Sequence, residues 1–396
     1  MKKIAITISH LDQGGIPTAF CSLINELHKR DDIDLTVFIF TKVNTSRFIL
    51  PDDVTKIYPS KALNMWWGGS VKNDFINKGI HYIGIRTNYY PWIWFARYGK
   101  VYGNYDVAIS YENDIARPYI DFMCNDFVLN RIKAVCKISW IHNDPYKLGF
   151  DKDYVLNRYR DFDGIVSVSK GNKQKLDTIC PDYTNKSYYV YNCINLSEKM
   201  ISKTKFHDID GKFHIISVSR LANKQKRIDR MIDTCVLLKK HGYENKIVWH
   251  MYGSGPDETM LKKYAEEEEV TDIFRFEGYT DNPALLMAQS DLYVMTSDYE
   301  GYSLTLLEAL CQDIPIICTN FDEAKESVVD GKNGIIVDFE PQYIESAITR
   351  LIDNKTILEE MKQYIKNHPV NNDLAIKQFM NVINECEGRR TTTDVR

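Results

Sequence analysis

Two acidic side chains eight residues apart, Glu300 and Glu308, stand in the stretch Ser297-Asp-Tyr-Glu300-Gly301-Tyr302-Ser303-Leu304-Thr-Leu-Leu-Glu308. Glu300 precedes a helical pattern and Glu308 lies inside it, about 12 Å further along were the whole spacing helical. Gly301 lets the backbone come close to a ligand. The amides near Tyr302, Ser303 and Leu304 open the helix, where unsatisfied N–H groups favour an anion. A second cluster, Ser219-Arg220-Leu-Ala-Asn-Lys-Gln-Lys226-Arg227, follows another apolar run. Arg220 can fork onto a phosphate and Lys226 adds a point charge. Fixed cations there stabilise a leaving group that gains negative charge as its bond breaks. Together these residues suit an extended ligand with hydroxyls at both ends and a diphosphate between them. Alone, two glutamates at this spacing are ordinarily a solvated helix face; the company of Gly301, Arg220 and Lys226 is what points to a ligand.

The elements that must hold these residues read as two α/β series. Lys3 to Ser9 is a β-branched run that ends in His10 and the glycines Gly14-Gly15, and Pro17 opens a helical pattern. Strand candidates follow at 34–40, 107–111, 135–140 and 164–169, with polar residues after the last three: Glu112-Asn113, His142-Asn143-Asp144 and Lys170-Gly171-Asn172. In open α/β sheets ligands sit beyond the carboxyl ends of strands. A polar stretch near 196–212 reads as a linker. Strand candidates then recur at 213–219, 246–252, 274–277, 292–296, 314–319 and 334–338. The expected architecture is α/β, with two Rossmann-like doubly wound domains facing across a cleft. We expect residues 1–200 as an acceptor-side domain, 201–370 as a donor-nucleotide domain, and 371–396 as a helix packing back on the first.

The chain has 396 residues, 44% hydrophobic and 26% charged, enough for two cores. A net charge of −4 argues against a nucleic-acid binder. Nine cysteines without metal-ligand spacing read as reduced, buried thiols. MKKIAITISH lacks the pattern of a secretory leader, and no window has the apolar length of a membrane span. A cytoplasmic protein is expected. Residues 60–103 interleave aromatic and basic side chains, with Trp66, Trp67, Trp92 and Trp94 among them. Core packing, a sugar-stacking acceptor site and docking on an anionic membrane at its inner face all remain open for this segment.

The Glu300–Glu308 stretch resembles the Glu-x7-Glu element of retaining glycosyltransferases of family 4, which have the GT-B fold. Other pieces match in order: Gly14-Gly15, Asn192-Cys-Ile-Asn195, Ser217-Val-Ser-Arg220-Leu with Lys226, Tyr252-Gly253-Ser-Gly255-Pro256, Phe276-Glu-Gly278-Tyr, Ile314-Pro315, and Glu326 with Gly331-Lys-Asn333-Gly334. The match is dense from about 211 to 340 and sparse before 200. The resemblance implies that Glu300 contacts the donor sugar and Glu308 the ribose. It implies that Arg220 and Lys226 bind the diphosphate, helped by Gly14, Gly15 and the 302–304 amides, with Gly253 near the base. His142 resembles a family histidine near the reacting sugar. A nucleotide-sugar donor (uridine-linked by family habit), a saccharide or lipid-linked saccharide acceptor, retention of configuration, and no metal or other cofactor are implied. Asp313 and Arg227 stand where the family commonly has glycine, and Phe321-Asp322-Glu323 where it has a glycine-rich turn. Little effect is expected from Arg227. A nucleotide-sugar epimerase on the same fold and a non-catalytic partner subunit are the rival readings.

Overall fold

A computed structural model describes residues 1–11, 14–41, 48–59, 93–117, 119–120, 122–200 and 205–393. Most of the aromatic-basic segment therefore lies outside the described residues. The chain forms two compact units, Met1–Asn195 with Asn372–Arg396, and Leu196–Asn371.

The first unit is built on a parallel sheet. Its strands are β1 (Lys2–Ile8), β2 (Ile33–Ile39), β3 (Thr55–Ile57), β4 (Tyr102–Ser110), β7 (Ile132–Ile141), β8 (Gly164–Ser167) and β9 (Ser187–Tyr189), in the order β3-β2-β1-β4-β7-β8-β9. A small ribbon of β5 (Ile115–Ala116) and β6 (Tyr119–Ile120) stands apart. The helix Asp373–Thr393 completes this unit. Phe379 lies 6.0 Å from the Trp140 ring, and Lys2 Nζ donates to Asn384 Oδ1 at 2.9 Å. Asn372 pins the chain's return: its Nδ2 donates to Ile194 O at 2.9 Å while its Oδ1 accepts from Ile194 N at 3.0 Å.

One expectation fails here. Cys136 on β7 and Cys386 on the last helix form a disulfide. The other seven cysteines are free and buried. A pair separated by 250 positions leaves no spacing signal, so only the return of the helix onto β7 reveals it.

The second unit carries β10 (Phe213–Val218), β11 (Ile247–Tyr252), β12 (Phe274–Gly278), β13 (Leu292–Met295), β14 (Ile316–Thr319) and β15 (Gly334–Val337). All pairings are parallel, in the order β12-β11-β10-β13-β14-β15. Counted within the unit this is 3-2-1-4-5-6, the order of dinucleotide-binding sheets. Successive residues show why the strands read as unbroken apolar runs. Ile215 packs into a layer with Trp249, Leu238 and Ile348, whereas Ile216 packs into the opposite layer with Tyr293, Leu306 and Cys318. Both faces are covered by helices, so no alternation survives in the sequence. The strand order reverses between β10 and β13, and the loops leaving these two strands carry the candidate site.

Candidate functional site

β10 delivers Ser219 and Arg220 at its carboxyl end. The short helix Asn223–Lys226 follows, then Arg227, then the helix Ile228–Lys240. β13 delivers Thr296 to Ser303, and the helix Leu304–Cys311 begins immediately after. The switch point thus brings the two sequence clusters side by side. Lys226 Nζ lies 2.6 Å from Glu300 Oε1, in a pair whose side chains are 18% and 8% exposed. A charged pair so deeply placed gains from further hydrogen bonds, and here they come on the carboxylate side. Gln225 Nε2 donates to Tyr299 O at 3.1 Å and reaches Glu300 Oε2 at 3.5 Å.

Arg220 behaves differently. Its side chain is exposed, and among the described residues nothing pairs with its guanidinium. It is a cation presented at the end of a strand. Tyr302 is half-buried and Ser303 buried. The Ser303 hydroxyl lies 3.3 Å from Thr305 Oγ1 and makes no cap on the Leu304–Cys311 helix, so its first amides face outward without a side-chain acceptor. Glu308, half-buried, lies in the second turn of that helix. The buried Tyr293 phenol is pushed well above its usual range by burial, against a hydrogen bond from Thr305, with the fields of Glu308 and Glu300 adding. Its hydroxyl donates to Val218 O at 3.2 Å.

Gly253 answers to backbone crowding. Its φ is 141°, and an added Cβ would lie 1.9 Å from Ser219 O. At Gly255 the same atom would lie 2.4 Å from Leu221 O. The two glycines let the 253–255 turn lie against the strand end that presents Arg220.

The two single positions at which the resembled family commonly has glycine are left-handed here: Arg227 has φ 51° and Asp313 φ 60°. Such conformations cost non-glycine residues about 1 kcal/mol. Asp313 meets Lys199 Nζ at 3.0 Å. Arg227 forks onto Asp229, Nε to Oδ1 at 3.0 Å and Nη2 to Oδ2 at 3.1 Å, and its Nη1 reaches Asp298 Oδ2 at 3.3 Å. Arg230, buried, donates to Asp298 Oδ1 at 2.9 Å. The sequence reading missed Asp298, Gln225 and Arg230. Their signal was position alone, two residues from Glu300 and within four of Lys226. In place of the glycine-rich turn, Phe321 fills the apolar layer beside Ile216 and Tyr293.

Gly14, Gly15 and His142 belong to the first unit. Gly14, at φ 108°, precedes the helix Gly15–Leu27. His142 is buried, and its Nε2 lies 2.7 Å from Tyr111 O, so it donates there as the neutral tautomer. Burial pushes its pKa down to about 4, against a small upward pull from the Tyr111 carbonyl. Nearby Glu112 is pushed up by burial and accepts from Ser9 N at 3.0 Å. A histidine held neutral in the fold but free to protonate when unfolded stabilises the protein above its unfolded value of 6.5, and that contribution is lost as pH falls towards about 4. We expect His142→Gln, whose amide keeps the donor to Tyr111, to flatten the acid limb of the unfolding curve between these limits. The full difference is on the order of 3 kcal/mol. Coincident acid limbs for the two proteins in urea unfolding would refute this.

Residues 200–368 match the family model described as glycosyl transferases group 1. The chain is 28% identical over 232 residues to the poly(glycerol-phosphate) alpha-glucosyltransferase of Bacillus subtilis (strain 168), covering 56% of this chain and 33% of that one. It covers 33%, 28% and 46% of the first three curated relatives it matches, less than half of each. Among solved structures it superposes on S. aureus TarM, crystallised with fondaparinux, alpha-GlcNAc-glycerol and UDP, with TM-score 0.71 and 15% identity over 97% of this chain and 100% of that one. The fold is GT-B. Anabaena HepE, solved with UDP and glucose, agrees at TM-score 0.66 and 15% identity over 99% of each chain. The GT-B expectation is thereby met. Among the described residues no helix is long and apolar enough to cross a membrane.

Proposed function

We propose that this chain is a retaining glycosyltransferase that moves a sugar from a nucleoside diphosphate sugar, uridine-linked, to a saccharide or lipid-linked saccharide hydroxyl. The observation that carries the reading is the pairing of Lys226 with Glu300 at the switch point of a 3-2-1-4-5-6 sheet, beside the unpaired Arg220 and an uncapped helix. That the matched stretch is a group 1 glycosyltransferase region, and that TarM and HepE were solved with UDP, supports it. A role in cell-surface polysaccharide or glycolipid assembly is in keeping with the poly(glycerol-phosphate) glucosylation for which the Bacillus relative is named. We place it in the cytoplasm, at the inner membrane face where a lipid-linked acceptor is used.

In this reading the diphosphate lies against Arg220, Lys226 and the amides of the Leu304–Cys311 helix, and Glu308 receives the ribose. The bond between the anomeric carbon and the β-phosphate oxygen breaks, and its electrons leave with the nucleoside diphosphate. The acceptor oxygen bonds the anomeric carbon on the same face, and its proton passes to the departing phosphate. The two cations and the amides meet charge that grows in the transition state, so the step calls on no metal.

The test is a panel of nucleoside diphosphate sugars, read by thermal shift and by nucleoside diphosphate release. One uridine-linked donor should stabilise the protein. Arg220→Ala should weaken its binding about tenfold or more, the worth of a charge-assisted contact. Donor binding unchanged by Arg220→Ala would overturn the placement of the diphosphate.

A further inference from the structure

The loop that carries Glu300 is tied at alternate residues to the segment that carries Lys226. Thr296 Oγ1 donates to Lys226 O at 3.0 Å and to Arg227 O at 2.8 Å. Asp298 N donates to Gln225 O at 2.9 Å, and the Asp298 carboxylate lies between Arg227 and Arg230. Arg230 also reaches back to Thr296 O. Glu300 closes the series on Lys226. The left-handed Arg227 turns the chain between two helices, so that Lys226, Arg227 and Arg230 all meet this one loop.

We infer that Asp298, clamped by Arg227 and Arg230, is a positioning residue for Glu300, needed once Lys226 turns away to a diphosphate. The inference rests on the donor-site reading above and deepens it. In the structure Lys226 is spent on Glu300. A diphosphate competes for that ammonium, and as the ammonium shifts, Glu300 gives up its strongest tether. The clamp acts on Asp298, two residues earlier, and does not involve Lys226. It therefore keeps the loop in place when the site is loaded. This gives Arg227 a use that the glycine common at its position cannot supply: glycine would take the same backbone turn and leave Asp298 with Arg230 alone. Holding a reacting group to within a fraction of an ångström is worth orders of magnitude in rate, with little effect on ground-state binding.

The test uses the full chain with Asp298→Asn, Arg227→Gly, Lys226→Met and the double variant Asp298→Asn with Lys226→Met. Amide hydrogen exchange of residues 297–303 is followed with and without UDP, and steady-state kinetics are run on the donor that the panel selects. We expect the double variant to exchange the loop about tenfold faster than Lys226→Met alone, beyond whatever the unpaired Glu300 already costs. With UDP bound, Asp298→Asn alone should do the same. Its kcat should fall about 30-fold with the donor KM within about threefold. Arg227→Gly should fall in the same direction by less, although it relieves the left-handed turn and holds or raises the thermal midpoint. Unchanged loop protection in the double variant, or an unchanged kcat in Asp298→Asn, overturns the inference. A wild type that turns over no donor, with the loop still loosened in the double variant, overturns the donor reading instead and with it any catalytic role for the clamp.

Discussion

Glu300→Gln should lower turnover by about two to three orders of magnitude while leaving the protein folded and its donor KM close to that of the wild type. The size follows from what the carboxylate does. It is 6% exposed, and in the proposed reaction it faces a sugar that becomes cationic. A fixed charge in such a place stabilises the transition state far more than the ground state, and removing one such contact typically costs ~10²–10³ in kcat. Glutamine keeps the shape and can still accept from Lys226, which is part exposed and can turn to water. The reciprocal change behaves otherwise. Lys226→Met leaves the Glu300 carboxylate buried with only Gln225 at 3.5 Å, and breaking a buried pair in that direction costs about 3 kcal/mol. Lys226→Met should therefore lose thermal stability as well as donor affinity, whereas Glu300→Gln loses rate alone. Nucleoside diphosphate release and calorimetric unfolding on the two variants separate these outcomes. Equal rates for Glu300→Gln and wild type would remove Glu300 from the chemistry.

The strands around this site were legible because a sheet covered on both faces writes itself as short apolar runs with polar ends. Ser219-Arg220 after β10 and Ser297 to Glu300 after β13 are two such ends, and the sheet order sets them together. β3 and β9 were not legible. Each has only three residues, too few for any pattern. The departures at Arg227 and Asp313 were visible as missing glycines, but not as left-handed turns, since a residue's type does not state its φ. The expectation of little effect from Arg227 came from that gap. The pairing of Lys226 with Glu300 was hidden for another reason. A lysine near a strand end suits phosphate, and nothing in the spacing says that it pairs with Glu300.

Gly253→Ala should destabilise the second unit by at least 3 kcal/mol, a prediction that separates backbone geometry from ligand contact. The new Cβ would stand 1.9 Å from the Ser219 carbonyl oxygen, a main-chain atom that cannot swing aside. Ser219 is itself fixed: its amide donates to Tyr252 O at 3.1 Å, Gly253 N donates to Gly278 O at 2.8 Å, and Leu221 N donates to Ser254 O at 2.9 Å. Relief requires breaking some of these bonds in addition to the cost of φ 141° for an L residue, itself about 1–3 kcal/mol. Gly278→Ala is the matched control. Gly278 also has positive φ, 79°, but nothing lies within 4 Å of its added Cβ, so it should lose only about 1 kcal/mol. Urea unfolding midpoints of the two variants give the comparison. Arg220 follows Ser219 directly, so whatever Gly253→Ala protein remains folded should also bind the donor poorly, because the strand end that presents the guanidinium has been pushed away from the switch point. Equal losses in the two variants would mean that the 253–255 turn can retreat, and that its glycines serve a ligand rather than the crossing of two chain segments.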